Sequence, residues 1–322
     1  MIILVTGAAG FIGFHLCQTL LANGHQVVGV DNLNDYYDVR IKQGRLQELA
    51  GFNAFRFAHV DIAQEGELAR AVNPDDVDVI VNLAAQAGVR YSIENPLAYV
   101  RSNLDGYVNV LEFARAAKNL KHLVYASSSS VYGDRGDGPF CEDDIVRSPA
   151  SLYAATKISG EVLTDSYVHL YGIPATGLRF FTVYGAWGRP DMAYWIFTEK
   201  ILSGEPITLF AAGEMSRDFT YIDDIVSALD TIVKTPPQGD HPHEIYNLGN
   251  STPTPLMELV ASVEAACGKQ AQKIHLPKQP GDVNATFADI SKAQKAFGYN
   301  PKTKIKDGIP VFVDWYRSFY NL

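Results

Sequence analysis

The feature that most constrains this chain is its first turn. Met1 to Thr6 is a short apolar run rich in β-branched residues, Gly7-Ala8-Ala9-Gly10-Phe11-Ile12-Gly13 follows at once, and a helical pattern continues through Leu21. This periodicity reads as strand, glycine turn and helix. Gly24 closes the helix, and Gln26 to Val30 forms a second buried strand ending at Asp31, 18 residues after Gly13. Glycines in such a turn let the backbone approach a pyrophosphate at a helix N-terminus, and an acid at that distance accepts hydrogen bonds from adenosine ribose hydroxyls. A carboxylate there repels a 2′-phosphate and so favours NAD over NADP. A glycine turn alone is a weak signal; strand, helix and spaced acid together carry the reading.

The alternation continues. Phe55 to Val60, Val77 to Leu83, Leu120 to Ser127 and Ala175 to Phe181 read as further strands with helical patterns between them. The expected class is α/β, a doubly wound, mainly parallel Rossmann-type sheet with right-handed crossovers. Ligands collect at the C-terminal ends of such strands, and those ends carry Gly7, Asp31, Asp61, Ala84 to Ala87, Ser127 to Ser130 and Thr182. From about Gly185 the pattern loosens, punctuated by Pro190, Pro206, Pro236-Pro237, Pro253 and Pro255. The expected division is a dinucleotide-binding domain over residues 1–185 and a smaller α/β substrate-binding domain over 186–322. The boundary is soft, because Glu244 to Leu248 looks like a strand that could return to the main sheet.

Charge and cysteine usage narrow the partners. A formal net charge of −9 in 322 residues argues against non-specific nucleic-acid binding, so an anionic ligand must be held by local cations. Cys17, Cys141 and Cys267 are odd in number and far apart, which points to a reducing cytoplasm. The N-terminal apolar run lacks a basic n-region, so it reads as a strand and not a signal peptide, and no run reaches the ~18 residues of a membrane span. The eight histidines show no metal spacing, and His241 and His243 fall in a polar loop where solvation is expected. No metal is expected.

Ser151-Leu152-Tyr153-Ala154-Ala155-Thr156-Lys157 opens a second helical pattern. On a helix Tyr153 and Lys157, four residues apart, share one face. A phenol is a poor base at neutral pH, but a neighbouring ammonium favours the phenolate. The plain alternative is an amphipathic helix that happens to carry both residues. For the run Ser127-Ser128-Ser129-Ser130, the alternative to a catalytic hydroxyl is a strand end capping its own backbone.

Taken together, Thr6 to Gly13, Asp31, Asp61-Ile62, Asn82 to Ala85, Asn103, Ser127 to Gly133, Tyr153 with Lys157, and Arg179-Phe180-Phe181 resemble the extended short-chain dehydrogenase/reductase superfamily over essentially the full chain. Within it, Ala84 to Ser92, Thr182 to Met192 and Ser216 to Tyr221 are similar to the nucleotide-sugar 4-epimerases, most closely those acting on UDP-glucuronate. The resemblance implies reversible C4 epimerisation to UDP-galacturonate through a 4-keto sugar. Tyr153 would be the general base at O4, Lys157 would lower its pKa, and Ser128 would complete the proton network, with Ser129 as fallback. NAD would be bound by Gly7, Gly10, Phe11, Ile12, Gly13, Asp31, Asn32, Asp61, Ile62, Leu83, Ala84, Ala85, Asn103, Tyr153, Lys157 and Phe180.

The UDP-sugar would meet Ser127, Ser128, Ser129, Arg90, Thr182, Arg189, Phe210, Arg217 and Asp282. Related dehydratases and decarboxylases resemble this chain but carry acids where Ser129 and Ser130 stand, which argues against their reactions. Hexose epimerases resemble it with Asn at position 182; Thr182 and Arg189 suit a C6 carboxylate instead. Three alternatives stay open for the arginines: Arg189 pairing with Asp191, Arg217 pairing with Asp218, Asp223 or Asp224, and Arg90 supporting its loop. Gln279 replaces a more usual Arg and Ala186 a more usual Pro. The family's four-helix contact through Asn103 to Ala117 and Tyr153 to Tyr171 implies a homodimer. The rival readings are a neutral UDP-hexose epimerase, a UDP-glucuronate decarboxylase, and a non-catalytic NAD sensor.

Overall fold

The computed structural model describes residues 1–135, 138–210, 213, 215–277 and 285–322. In chain order the strands are β1 Ile2–Thr6, β2 Gln26–Asp31, β3 Phe55–His59, β4 Val79–Asn82, β5 His122–Ser128, β6 Ala175–Phe180, β7 Thr182–Tyr184, β8 Ile207–Phe210, β9 Ser216–Tyr221, β10 His243–Leu248, β11 Pro253–Pro255, β12 Lys273–Leu276 and β13 Ala285–Thr286. The helices are α1 Phe11–Ala22, α2 Val39–Leu49, α3 Glu67–Ala71, α4 Tyr91–Glu94, α5 Pro96–Val100, α6 Gly106–Ala116, α7 Leu152–Tyr171, α8 Ala193–Ser203, α9 Ile222–Ile232, α10 Leu256–Cys267, α11 Ser291–Phe297 and α12 Ile305–Tyr320. A π-helical turn, Arg101–Asp105, precedes α6.

Two compact units are interleaved along the chain: Met1–Gly133, Ile145–Arg179 and Val226–Tyr246 form the first, and Asp134–Asp144, Phe180–Ile225 and Asn247–Leu322 the second. In the first, a seven-stranded sheet runs β10-β6-β5-β4-β1-β2-β3. The strands from β3 through β5 pair in parallel. It is a mostly parallel, Rossmann-like sheet. The returning strand expected at Glu244–Leu248 is β10, at the sheet edge. β1 is buried at every position after Ile2, as a parallel strand covered on both faces must be. One core cluster unites Leu4, Val30, Ile80, Val110, Leu111, Leu123 and Tyr125. Because β2 and β4 flank β1 on opposite sides, the chain changes direction at the end of β1, where such folds open a ligand crevice.

Helix α7 is set by its ends. Ser151 caps it, accepting the Ala154 N–H at 3.1 Å, and Gly172 stops it in the left-handed region at φ +67°. In the second unit β9 pairs with β7, β11 and β13, and β8 with β12. Its core is aromatic: Trp195 meets Phe312, Trp315 and Tyr316, while Trp187 lies tilted against Trp315 and edge-on to Phe319. Fully buried Asp218 accepts N–H bonds from Asn250, Ser251 and Ala288, tying two chain segments to β9.

Candidate active site

The glycine turn is closed by Gly7 at φ +70°, whose carbonyl accepts the Gly10 N–H at 2.9 Å. A Cβ on Gly13 would lie 2.1 Å from the Gly7 oxygen, and one on Gly7 would lie 2.8 Å from the Ala84 nitrogen. Side chains therefore cannot enter this cradle. Gly10 is the N-cap of α1 without supplying a side-chain cap, and the first turn of α1 holds no acid. The N–H groups of Phe11, Ile12 and Gly13 thus present an anion-binding helix end. Arg45, fully buried on α2, donates to the Ala9 carbonyl at 2.7 Å and braces the turn.

Asp31 is 9% exposed; its Oδ1 accepts the Leu33 N–H, and Lys42 Nζ lies 3.9 Å away. Oδ2 lies outside those contacts, as a ribose-binding carboxylate requires. Asn32 holds its own loop by accepting from the Asn34 backbone and side chain. Asp61 accepts the Ala63 N–H, while Ile62 lies in the core. At the end of β4, Leu83 and Ala84 donate backbone N–H groups to Thr6 O and Oγ1, and half-buried Ala85 follows. The donor set and the Cβ-free cradle fit a dinucleotide. Asn103, expected at the cofactor, lies in the π turn. Its amide is used on Gln86 N–H, Gln86 O and Thr156 Oγ1. It positions the segment after β4. Phe180 is 8% exposed at the end of β6.

On α7, Lys157 Nζ donates to the Ala126 carbonyl at 2.8 Å and lies 5.9 Å from the centre of the Tyr153 ring. Burial pushes the Lys157 ammonium down to about 8, with Glu161 opposing it. The Tyr153 ring is met edge-on by Tyr99, 6.0 Å between centres. Tyr99 is itself fully buried, its hydroxyl donating to the Ala87 and Gly88 carbonyls.

The serine run divides its tasks. Ser128 Oγ accepts both the N–H and the hydroxyl of Ser130, at 3.2 and 2.9 Å. Its lone pairs are occupied, so its own O–H is the part left to donate. Ser129 begins a 3-10 turn and is half-buried. Ser127 neither caps its own strand nor lies open to a ligand: it is 3% exposed and donates to Glu161 Oε1 at 2.5 Å. Glu161 in turn pairs with Arg179, which also donates to Tyr132 Oη.

The remaining expected contacts lie elsewhere in the chain. Arg90 is exposed at the start of α4. Thr182 opens β7 and Phe210 ends β8, both half-buried. Arg189 makes a bidentate pair with Asp191, at 3.0 and 2.8 Å. Arg217 donates to the Ser216 carbonyl, and the adjacent Asp218 points to the opposite side of β9, occupied with backbone N–H groups. Asp282 and Gln279 lie outside the described residues. Of the two histidines expected in a solvated loop, His241 is exposed in the loop before β10, as expected, whereas His243 corrects the expectation: it opens β10 with its side chain 7% exposed, and both rings contact Asp165. The β10 strand carries the ring inward, which loop composition did not reveal.

Sequence reasoning missed Tyr99, Arg45 and the Glu161–Arg179 pair. Glu161 had a signal, since Tyr153, Lys157 and Glu161 repeat every four residues on one helix face. Tyr99 had none.

Residues 3–249 match the NAD dependent epimerase/dehydratase family. The chain belongs to that family. Among its relatives, UDP-glucuronate 4-epimerase 6 of Arabidopsis thaliana is 46% identical, covering 99% of this chain and 72% of that protein. A probable UDP-glucuronate 4-epimerase of Rhizobium meliloti is 44% identical over 99% of this chain and 97% of its own. The crystal structure of UDP-glucuronic acid 4-epimerase from Bacillus cereus, in complex with UDP-glucuronic acid and NAD, superposes with a TM-score of 0.92 at 37% identity. It covers 99% of this chain and all of that one.

Proposed function

We propose that this family member is an NAD-dependent isomerase that interconverts UDP-glucuronate and UDP-galacturonate by inverting C4. The observation that carries the reading is the full-length similarity to proteins described as UDP-glucuronate 4-epimerases, joined to a Tyr153, Lys157 and Ser128 set placed at the end of β5 and the start of α7. Tyr153 takes the proton from O4 and later returns it. Lys157, an ammonium through neutral pH, stabilises the phenolate that this requires. Ser128 donates its hydroxyl toward the sugar oxygen. NAD, when bound along Gly7 to Gly13, Asp31 and Asp61, supplies the reversible hydride acceptor.

For the UDP-sugar we assign Thr182 and Arg189 to the uronate carboxylate, Arg217 to the diphosphate, and Phe210 and Asp282 to the uridine, on the strength of the family resemblance. We leave Ser127 out of this set, because its hydroxyl is already committed to Glu161. The Arg189–Asp191 pair favours one second reading, a neutral UDP-hexose as substrate, since the guanidinium already has a carboxylate. Proton NMR of the enzyme with UDP-glucuronate and, separately, UDP-glucose distinguishes the two. A galacturonate anomeric signal from the acid alone supports the uronate reading, turnover of the neutral sugar alone overturns it, and a UDP-pentose signal would mark a decarboxylase.

A homodimer is proposed through α6 and α7. These helices are joined internally by Tyr167 to Glu112 and Tyr107 to Thr164, while Val162, Leu170 and Tyr171 remain exposed on α7. Light scattering that gives a monomer mass would overturn it. Among the described residues no helix is long and apolar enough to cross a membrane, and a cytoplasmic location is the proposal that fits the three free cysteines.

A further inference from the structure

We propose that Asp165, His241 and His243 form a binding site for one zinc-like divalent cation, which ties helix α7 to the start of edge strand β10. The three side chains come from two separate stretches of chain, yet offer one ligand atom each within 4.8 Å of one another. His241 Nε2 lies 2.8 Å and His243 Nδ1 3.1 Å from Asp165 Oδ1. Around a tetrahedral zinc with bonds near 2.0–2.1 Å, neighbouring donors stand about 3.3 Å apart. Both distances are therefore within about half an ångström of a liganded geometry. Asp165 and His241 are roughly half exposed, so they can make that adjustment and leave a fourth position to water.

The surroundings supply what a bare cluster lacks. The other nitrogen of His243, Nε2, is held at 2.9 Å by the hydroxyl of Tyr125, a side chain 2% exposed in the sheet core. A ligating imidazole characteristically has its second nitrogen fixed by such a partner, which sets the tautomer and aims the first. Space for that hydroxyl is made by Gly177, where a Cβ would stand 2.5 Å from Tyr125 Oη. Without a metal Nδ1–H donates to the Asp165 carboxylate and Nε2 accepts from Tyr125; a metal would displace the Nδ1 hydrogen, and Tyr125 Oη, able to accept as well as donate, would then hold the Nε2–H. Two imidazoles and a carboxylate are a borderline-soft set that suits Zn(II) and Co(II) better than Mg(II) or Ca(II).

The test is a titration of chelator-treated, untagged protein with Zn(II) against a chromophoric competitor, repeated with Co(II) read by its visible spectrum. The expected result is one equivalent per chain and a tetrahedral or five-coordinate Co(II) band. Asp165→Asn and His241→Ala should each weaken binding at least about tenfold, and Tyr125→Phe should weaken it by about that factor through loss of orientation. Zinc should raise the melting temperature of the wild type and not of His241→Ala, whose exposed ring can be lost without unfolding the chain. Absence of a one-equivalent site, or binding undiminished in both Asp165→Asn and His241→Ala, would overturn the proposal. The second result would move the metal to another donor such as Cys141. Neither substitution touches the proposed catalytic set, so turnover serves as the check that each variant is folded.

Discussion

Glu161 and Arg179 form a bidentate ion pair inside the first unit, with Nε to Oε1 at 2.9 Å and Nη2 to Oε2 at 2.8 Å and both side chains no more than 6% exposed. Through it α7, the end of β5 and the end of β6 are held together: Ser127 donates to Glu161, and Arg179 donates to Tyr132. Buried pairs add little net stability over apolar replacements, but removing one partner strands the other. Glu161→Gln should therefore cost about 3–5 kcal/mol in urea unfolding. A Glu161→Leu/Arg179→Met double variant should recover most of that loss. If the single and double variants lose equally, the pair is not what the substitution disturbs.

Lys157 is held against its own stability. Its folded pKa of about 8 lies below the ordinary 10.5, because burial penalises the ammonium. At pH 7 the side chain is charged in both states, so burial, net of the opposing Glu161 charge, costs roughly 3 kcal/mol. Lys157→Met should then raise the melting temperature while abolishing turnover. The sign with pH follows from proton counts. Between pH 8 and 10.5 the unfolded chain binds more protons at this site than the folded one, so wild-type stability from this group rises across that window. The advantage of Lys157→Met should shrink as pH climbs from 8 to 10.5, and wild-type activity should fall over the same range as the ammonium is lost. An advantage that stays constant with pH would show that the charge is not what burial penalises.

Gly13→Ala and Gly24→Ala separate close approach from backbone conformation. The Gly13 substitution places a methyl 2.1 Å from the Gly7 oxygen, so the turn must open and NAD affinity should fall at least tenfold. At Gly24 nothing lies within 4 Å, but φ is +79°, so the cost is about 1 kcal/mol of stability with NAD affinity unchanged. Isothermal titration and thermal melts of the two variants give both readouts, and equal NAD affinity in the two would refute the cradle.

Much of this fold was legible because local signals and burial coincide. β1, the glycine turn and α1 fall where periodicity placed them, and Ser151 and Gly172 mark both ends of α7. Strand edges were less secure. The strand read from Val77 starts at Val79, because Pro74–Asp76 makes a 3-10 turn that ends on Val77. What sequence could not show were contacts across distant segments. The Asn103 amide is spent on Gln86, the Ser127 hydroxyl on Glu161, and His243 lies against Tyr125, 118 residues away. Each is a choice between partners of equal chemical fitness, which only the tertiary arrangement decides.

Ser128 and Tyr153 can be assigned by pairing two substitutions. Tyr153→Phe removes the base and should lower kcat by about 10²–10⁴-fold with NAD affinity unchanged. Ser128→Ala has a second effect, because Oγ also accepts the Ser130 N–H and hydroxyl. Loss of that acceptor should cost about 1 kcal/mol of stability, the value of a typical cap, together with a fall in kcat. Ser128→Thr keeps the hydroxyl and should restore both. A Ser128→Ala enzyme that loses stability and keeps kcat would reduce Ser128 to a structural cap and pass the donor role to Ser129.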